Sequence, residues 1–197
     1  MAPTATTTGT PTVHGLVLGE QVEALAEVVR RFHATPGDVR GEGLFRMRRS
    51  PTALGRLLAT LMRLPRATGD TPVGLTITRL TSPDGGGPFE RWHRQFGGDV
   101  MDSIQVAEEG LVERFGPLEV GFDLTVADAR LLFCHVRTTV RIGQLLVGLP
   151  RWLSPHVDAS VGATIDRRRL AVSVRISAPL VGDLLAYGGE LTPGGLP

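Results

Sequence analysis

Residues 110–142 carry the clearest hydrophobic pattern in the chain, because apolar residues recur at every second position in two successive runs. The first run places on one face Val120, Phe122, Leu124 and Val126. The second run places on one face Leu132, Cys134, Val136, Val140 and Ile142. A period of two over this length predicts extended strands with one buried face each. Since two strands cannot bury such a face alone, the pattern predicts a curved antiparallel sheet or barrel.

Two helical patterns precede these strands. Residues 19–34 have apolar positions at helical spacing, with acids early and bases late as the helix dipole favours. The second pattern follows Ser50 and Pro51, which suit an N-cap and a first helical position, and it ends at Pro65. Its apolar stripe consists of Leu54, Leu57, Leu58 and Leu61.

The chain after the second helical pattern is almost wholly β in character. The strands predicted there, besides a short one at 43–49, are 73–80, 88–96, 100–108, 111–126, 130–142, 157–166 and 170–178. Residues 180–187 fit a last short helix or an irregular strand, and the two stay open. We therefore predict an α+β fold, a strongly curved antiparallel β-sheet or β-barrel with two N-terminal helices packed against it.

Length and composition limit the partners and the organisation. A chain of 197 residues suits one domain, predicted at 15–192 between a disordered tail (1–14) and a frayed end (193–197). The net charge of +1 favours neither nucleic acid nor membrane as a partner. The N-terminus lacks the features of a secretory signal, so we expect a cytoplasmic protein, with a homodimer as an open alternative.

The hairpin around Gly97-Gly98 gives the best lead to chemistry. A two-residue turn there places His93 opposite Asp102, and a histidine oriented by a carboxylate in an apolar pocket can act as a general acid or base. The alternative is a surface ion pair. The competing face of the strand carries Trp92 and Arg94, which would supply an apolar wall and an anion-binding group if that face lines a cavity.

Further candidate residues lie outside the hairpin turn. Glu113 is either a buried catalytic acid or half of a structural salt bridge. Trp152, in a proline-bounded corner, would plug one end of a barrel. The remaining candidates for a substrate-binding wall are Met101, Phe122 and Tyr187. We expect no metal site, because His14, His33 and His156 are scattered, and we expect His135 to face outward and Cys134 to be a small buried hydrophobe.

Four short phrases resemble the bacterial domain family of unknown function numbered 4166. They are RWHRQFGG at 91–98, VERFGP at 112–117, PRWLSP at 150–155 and PLVG at 179–182. The resemblance covers roughly residues 40–192 and implies a β core with helices, but no reaction. Domains of this family are often attached to an oxidoreductase-like nucleotide-binding domain. This chain has no G-x-G-x-x-G after a strand, so we expect no cofactor.

These features favour a cofactor-independent cyclase or isomerase that holds a small apolar, polyketide-like metabolite in a β-barrel cavity. Two alternatives remain. One is a non-catalytic protein that binds a hydrophobic ligand such as a lipid or polyketide. The other is an interaction or dimerisation subunit, which would have a filled interior.

Overall fold

A computed structural model describes residues 11–150 and 152–194. The helices are α1 (Val13–Leu18), α2 (Glu27–Ala34) and α3 (Ala53–Leu61), and a 3-10 helix (Gly19–Ala24) links α1 to α2. The strands are β1 (Val39–Arg49), β2 (Gly69–Thr81), β3 (Pro88–Phe96), β4 (Asp99–Glu108), β5 (Gly110–Phe115), β6 (Leu118–Ala127), β7 (Arg130–Ile142), β8 (Leu145–Gly148), β9 (His156–Ala163), β10 (Leu170–Ala178) and β11 (Gly182–Gly194).

Ten of the strands close into an antiparallel barrel, which confirms the predicted fold class. The order around the ring is β1-β2-β3-β4-β5-β6-β7-β9-β10-β11, and β11 pairs again with β1. Within the described residues β8 lies outside the ring and pairs with β7 alone. Closure gives each barrel strand a partner on both sides and a single interior face.

The pleat of each strand sorts its side chains between this interior and the outer surface. In β3, Glu90, Trp92 and Phe96 are buried, whereas the alternating residues Arg91 and His93 are exposed. The period of two that the sequence shows is therefore the period of a barrel wall.

The two ends of the barrel are built differently. At the closed end, α1 and α2 pack against the barrel, where the Val13 N–H donates to Glu90 Oε1 of β3 (3.2 Å) and the Ala26 N–H donates to Ala129 O in the β6–β7 turn (3.0 Å). At the open end, α3 connects β1 to β2, and the β7–β8 hairpin projects from the other side of the ring.

The N-terminal part of the prediction needs two corrections. The helix expected over 19–34 is a 3-10 helix followed by α2, with a break at Leu25 and Ala26. The disordered tail was predicted to reach residue 14, but Val13 and His14 lie in α1 and are fully buried. Residues 1–10 lie outside the described residues, as do 195–197, and residues 193–194, expected to be frayed, belong to β11.

Up to His135, the buried face of β7 is the reverse of the predicted one. Leu131 and Phe133 point inward, while Cys134, Val136 and Ile142 are exposed. The register between β6 and β7 shifts after Gly121, which pairs with Arg137 while Phe122 pairs with His135. This β-bulge inverts the alternation along β7, so no single face runs through the whole strand.

The second predicted helix exists, but its leucine stripe faces outward. Gly55 and Ala59 are the buried residues of α3, whereas Leu54, Leu57 and Leu61 are exposed. A Cβ on Gly55 would come within 2.0 Å of Ser50 Oγ, so the small side chain is what lets this face approach its support. The helix thus packs through its small residues.

Most strand predictions are confirmed, three of them to the residue: 88–96, 130–142 and 170–178. The run at 111–126 is two strands, β5 and β6, separated by a turn at Gly116 with a positive φ of 57°. Residues 182–187, the open choice between helix and strand, belong to β11. The two-residue turn at Asp128 and Ala129, both with positive φ, is typical of tight hairpins.

Candidate functional site

The barrel encloses a cavity of about 130 Å³. This is roughly ten times the space that one buried water needs. Its wall is largely apolar, and five of the residues expected there line it: Trp92, Arg94, Met101, Phe122 and Tyr187. The polar or ionisable side chains on the wall belong to Trp92, Arg94 and Tyr187 of this set and to His33, Gln105 and Glu113. An apolar cavity with a few inward polar groups is the usual form of a small-molecule site.

Access to the cavity is from the open end. Where the wall meets the closed end, it is formed by Phe32 and His33 of α2, which are almost completely buried. Where it meets the open end, the lining residues Met62, Phe115 and Leu118 are partly exposed. A ligand would therefore enter past the C-terminal end of α3.

Arg94, Ser103 and Glu113 form a hydrogen-bonded cluster on one side of the cavity. The Arg94 guanidinium donates to Ser103 Oγ (2.8 Å) and to Glu113 Oε1 (2.7 Å), and the Ser103 hydroxyl donates to the same Glu113 oxygen (2.6 Å). The guanidinium carbon also lies 4.7 Å from the centroid of the Trp92 ring. Because a carboxylate balances the guanidinium, the cluster is neutral overall.

The second oxygen of this carboxylate is available to a ligand. Glu113 is 7% exposed, and its Oε2 accepts no hydrogen bond from any described residue. Glu113 was predicted to be either a buried acid or half of a salt bridge, and it is both. Its partner, however, lies across the sheet on β3 and not at the Gly116 bend.

Tyr187 brings a neutral hydroxyl to the same cavity. Its ring packs against Phe96 with centroids 5.1 Å apart, and burial raises the pKa of its phenol to about 12, with Arg94 opposing and Glu113 adding to the shift. Its hydroxyl has no hydrogen-bond partner among the described residues. Near neutral pH Tyr187 is therefore protonated and can donate a hydrogen bond to a ligand.

Gln105 is the functional candidate that sequence reasoning missed. It is 1% exposed, it lines the cavity, and its Oε1 has no hydrogen-bond partner among the described residues. The signal was present in the alternation of β4, where Met101, Ser103 and Gln105 share the inward face, and in the pairing of Gln105 with Glu90 and Glu113. A buried amide without a partner carries a desolvation penalty that a ligand can remove.

The pairing of His93 with Asp102 is confirmed, but the expectation that they lie in an apolar pocket is wrong. His93 Nδ1 and Asp102 Oδ1 are 2.6 Å apart, with side chains 49% and 63% exposed on the outer face of the barrel. The two-residue turn fixed the register as predicted. The barrel curves the other way, so the competing face with Trp92 and Arg94 is the interior one.

Trp152 is the other candidate that lies away from the cavity. Its side chain is 64% exposed and it is not part of the wall, so the expected plug is wrong. The neighbouring Pro155 does line the cavity. The proline-bounded corner therefore approaches the open end with its proline, while the indole faces away from the interior.

A buried polar cluster supports the closed end behind the cavity. Glu90 accepts from Arg79 Nε (3.2 Å) and Trp92 Nε1 (3.1 Å), and its Oε2 lies 3.4 Å from His14 Nδ1. Burial would raise the pKa of Glu90, but the hydrogen bonds and charges of His14 and Arg79 outweigh it and lower that pKa. The Arg79 guanidinium also donates to Phe32 O (2.7 Å), which ties α2 to the barrel.

The histidines are less scattered than the sequence suggested. His14 and His33 lie with ring centroids 4.5 Å apart, and burial, then the charges of His14 and Arg79, lower the pKa of His33 well below its usual range. His135, expected to face outward, is half-buried against Phe122 because of the bulge in β7. In the described parts of the chain, no three His, Cys, Asp or Glu side chains are arranged to hold a metal ion.

Comparison with known proteins places the chain in a family. The model of a domain of unknown function, DUF4166, matches residues 25–191. The chain belongs to the DUF4166 family. No curated protein matches this DUF4166 domain. Across the residues described, no helix is long and apolar enough to cross a membrane.

One solved structure resembles the DUF4166 domain. It is the crystal structure of a protein with unknown function from the DUF3598 family of Nostoc punctiforme PCC 73102. The likeness covers 87% of this chain and 48% of that one, at 10% identity and a TM-score of 0.39. The chain thus spans about half the length of that protein, and a likeness of this size supports no functional inference.

Proposed function

We propose that this protein binds a small, neutral, mostly apolar molecule that carries at least one oxygen group, inside the barrel. The observation that carries the proposal is Gln105, which lines the apolar cavity and whose buried Oε1 has no hydrogen-bond partner among the described residues. A ligand hydroxyl would donate to Gln105 Oε1, and a ligand oxygen would accept from the Tyr187 hydroxyl. Both bonds satisfy buried polar groups that otherwise lack partners.

The charge balance of the cavity favours a neutral ligand. Arg94 is already compensated by Glu113 at 2.7 Å, so an anionic ligand would add an uncompensated charge to an apolar interior. A cation would meet the same penalty, since Glu113 is held by Arg94 and Ser103. Alcohols, ketones and esters on an apolar skeleton fit both the wall and its polar groups.

A matched pair of probes tests this proposal. We expect 2-naphthol to bind more tightly than naphthalene in a calorimetric titration, by about fivefold to tenfold, since one net hydrogen bond is worth about 1 kcal/mol. Gln105→Met should remove this preference and leave the affinity for naphthalene unchanged. Binding of neither compound, or a preference that survives Gln105→Met, would contradict the proposal.

The control for this experiment lies on the outer face of the same hairpin. His93→Ala changes an exposed residue and should leave the affinities for both probes unaltered. Native mass spectrometry of the purified protein adds an independent test. A small neutral compound that is lost on denaturation would identify the class of the natural ligand.

A second candidate, an isomerase, is favoured by the presence of both Glu113 and Tyr187 on the wall of one apolar cavity. Glu113 Oε2 would take a proton from the carbon beside a carbonyl group, while the Tyr187 hydroxyl donates a hydrogen bond to the carbonyl oxygen. Return of the proton to another carbon would shift the double bond and leave the protein unchanged. Arg94 and Ser103 position the carboxylate by holding its other oxygen.

Proton exchange separates the isomerase from the binding protein. The isomerase predicts that a small β,γ-unsaturated ketone in D2O is conjugated and gains deuterium. Glu113→Gln would slow this by about a hundredfold or more, the usual size of a general-base effect. Binding without exchange would leave the protein as a ligand-binding barrel. His93→Ala again serves as the control, because His93 lies outside the barrel.

A further inference from the structure

The open end carries an unusual amount of exposed apolar surface. Most of the exposed large apolar side chains in the described residues lie there, on α3, the β7–β8 hairpin, the following corner and the β10–β11 turn. They include Leu57, Leu61, Ile142, Leu145, Trp152 and Leu180. Soluble surfaces rarely gather so many apolar side chains around one opening, and such clusters mark sites of contact with proteins or membranes.

The same end is rich in arginine. Residues 43–69 contain six arginines and no acidic residue, and none of the six forms an ion pair with a described carboxylate. Residues 129–157, which form the β7–β8 hairpin and its flanks, also contain arginines and no acid. The α3 segment therefore carries positive charge that no described carboxylate balances, whereas Arg141 of the hairpin segment pairs with Glu119.

Three acids near the open end are engaged by other groups, whereas Asp70, at the start of β2, is exposed. Asp99 accepts hydrogen bonds from the backbone N–H groups of Arg66 (2.7 Å) and Ala67 (2.9 Å). Glu119 is held by Arg141, and Asp183 by Arg175. The turns at the closed end carry both signs of charge, with Asp84, Glu109 and Asp128 in three of them and Arg167, Arg168 and Arg169 in the β9–β10 turn. Within the overall charge of +1, the α3 segment at the open end is therefore cationic, while the closed end is mixed.

From these observations we propose that the open end docks on an anionic lipid bilayer. The exposed leucines and Trp152 enter the headgroup region, and the arginines pair with lipid phosphates, the combination that holds interfacial helices on anionic membranes. Arg63 and Leu61 flank Met62, a residue of the cavity wall, so docking brings the cavity entrance against the lipid. Exchange of an apolar ligand with the bilayer rests on the proposed ligand binding, whereas docking itself does not.

Vesicle binding tests the docking directly. The protein should sediment with vesicles of phosphatidylcholine and phosphatidylglycerol, and bind vesicles of phosphatidylcholine alone at least tenfold more weakly. Added salt should weaken the binding, since the charge attraction is screened. The Trp152 emission should shift to shorter wavelength on binding, and the shift should be absent in Trp152→Phe. A protein that ignores anionic vesicles would overturn the proposal.

Substitutions locate the docking surface. The double change Leu57→Ser and Leu61→Ser should lower the partition coefficient about tenfold or more, and so should Leu145→Ser with Leu146→Ser on the hairpin. Ile165→Ser, a fully exposed apolar residue of the β9–β10 turn at the closed end, is the matched control and should have no effect. If thermal unfolding shows that the substitutions in α3 destabilise the protein, the test rests on the Leu145→Ser and Leu146→Ser variant of the hairpin.

Two further outcomes keep this proposal separate from ligand binding. Gln105→Met should bind vesicles as the natural sequence does, so loss of the 2-naphthol preference alone would leave the docking intact. If the protein instead forms a dimer in gel filtration, and the leucine substitutions break that dimer without any vesicle binding, the surface is an interface between copies and the proposal is wrong.

Discussion

The two ends of the barrel differ in whether their charged and apolar side chains are buried against partners or exposed to solvent. At the closed end, buried Glu90 is surrounded by donors from Arg79, Trp92 and the Val13 backbone. At the open end, Leu61 is exposed, and the exposed Arg56, Arg63 and Arg66 form no ion pair with a described carboxylate. Groups that meet their partners inside the molecule contribute to its stability, whereas groups left without partners are available to something outside it. The difference separates structural from functional parts of one wall.

The largest effect expected from this comparison is on Glu90. Glu90→Gln keeps the shape of the side chain but leaves the Arg79 guanidinium, 4% exposed, without a counter-charge. We expect the free energy of unfolding to fall by about 3–5 kcal/mol, the usual consequence of breaking a buried ion pair. Urea unfolding measures it. Leu61→Ser at the open end is the control and should change stability by less than about 0.5 kcal/mol. Equal losses would break the comparison.

Tyr187 gives the next largest effect, and it can be observed directly. It is the only tyrosine of the chain, so tyrosinate absorbance reports this residue alone. The chain also lacks lysine, so no lysine side chain titrates in the same pH range. The pKa of Tyr187 is raised to about 12 in the folded state, against about 10 in the unfolded state. The contribution of Tyr187 to the free energy of unfolding is therefore fully present below about pH 10. It is lost as the pH rises toward 12, by about 1.4 kcal/mol per pH unit.

The measurement for Tyr187 is a spectrophotometric titration of folded and urea-unfolded protein. The two curves should be separated by about two pH units. Tyr187→Phe supplies the baseline and should remove the loss of stability in this pH range. A folded-state curve that coincides with the unfolded one would mean that the hydroxyl is not confined in an apolar cavity.

Parts of this architecture were predictable, and the reasons differ from element to element. The register of β3 and β4 followed from Gly97-Gly98, because a two-residue turn leaves one way to pair the strands. Which face points inward did not follow, since Val100 and Ile104 on one face are as apolar as Trp92 and Phe96 on the other. Local pattern gives the alternation, but the direction of curvature belongs to the closed ring.

Two other parts were hidden for different reasons. The bulge that inverts β7 lies opposite Gly121, and a glycine inside a strand is a weak local sign of a bulge that does not say which residues lose their alternation. In α3 the leucine stripe predicted the helix, but the small residues Gly55 and Ala59 decide which side packs. Gln105 could have been found from its place between Ser103 and Glu113 once the β4–β5 pairing was known. Its lack of a partner required the structure.

His33 sharpens the contrast at the closed end with a smaller effect. Its folded-state pKa lies well below its usual value near 6.5, so the unfolded chain takes up a proton that the folded protein excludes. Stability should therefore fall as the pH drops below about 6.5, by up to about 1.4 kcal/mol per unit. Urea unfolding between about pH 7.5 and 5.5 measures the slope, above the range where Glu90 takes up its proton.

The same series in His33→Gln provides the comparison, because glutamine does not titrate. Its slope should be shallower than that of the natural sequence by the His33 contribution. His14 and Arg79 keep their places beside the new residue, so the remaining slope reports the other groups. Identical slopes in the two proteins would show that the site admits a protonated imidazole, and the closed end would then be less tightly sealed than its burial indicates.

Gln105→Met is the smallest of these changes and the one that tells structure from function within the cavity itself. Methionine fills a similar volume without an amide that lacks partners, so we expect the unliganded protein to be stabilised by about 1 kcal/mol. Thermal or urea unfolding measures this gain, and the naphthol titration described above measures the accompanying loss of preference. If Gln105 served only for packing, this substitution would lower the free energy of unfolding of the protein. A gain of stability together with a loss of ligand recognition is the result expected of a polar group whose hydrogen-bond partner is supplied by the ligand.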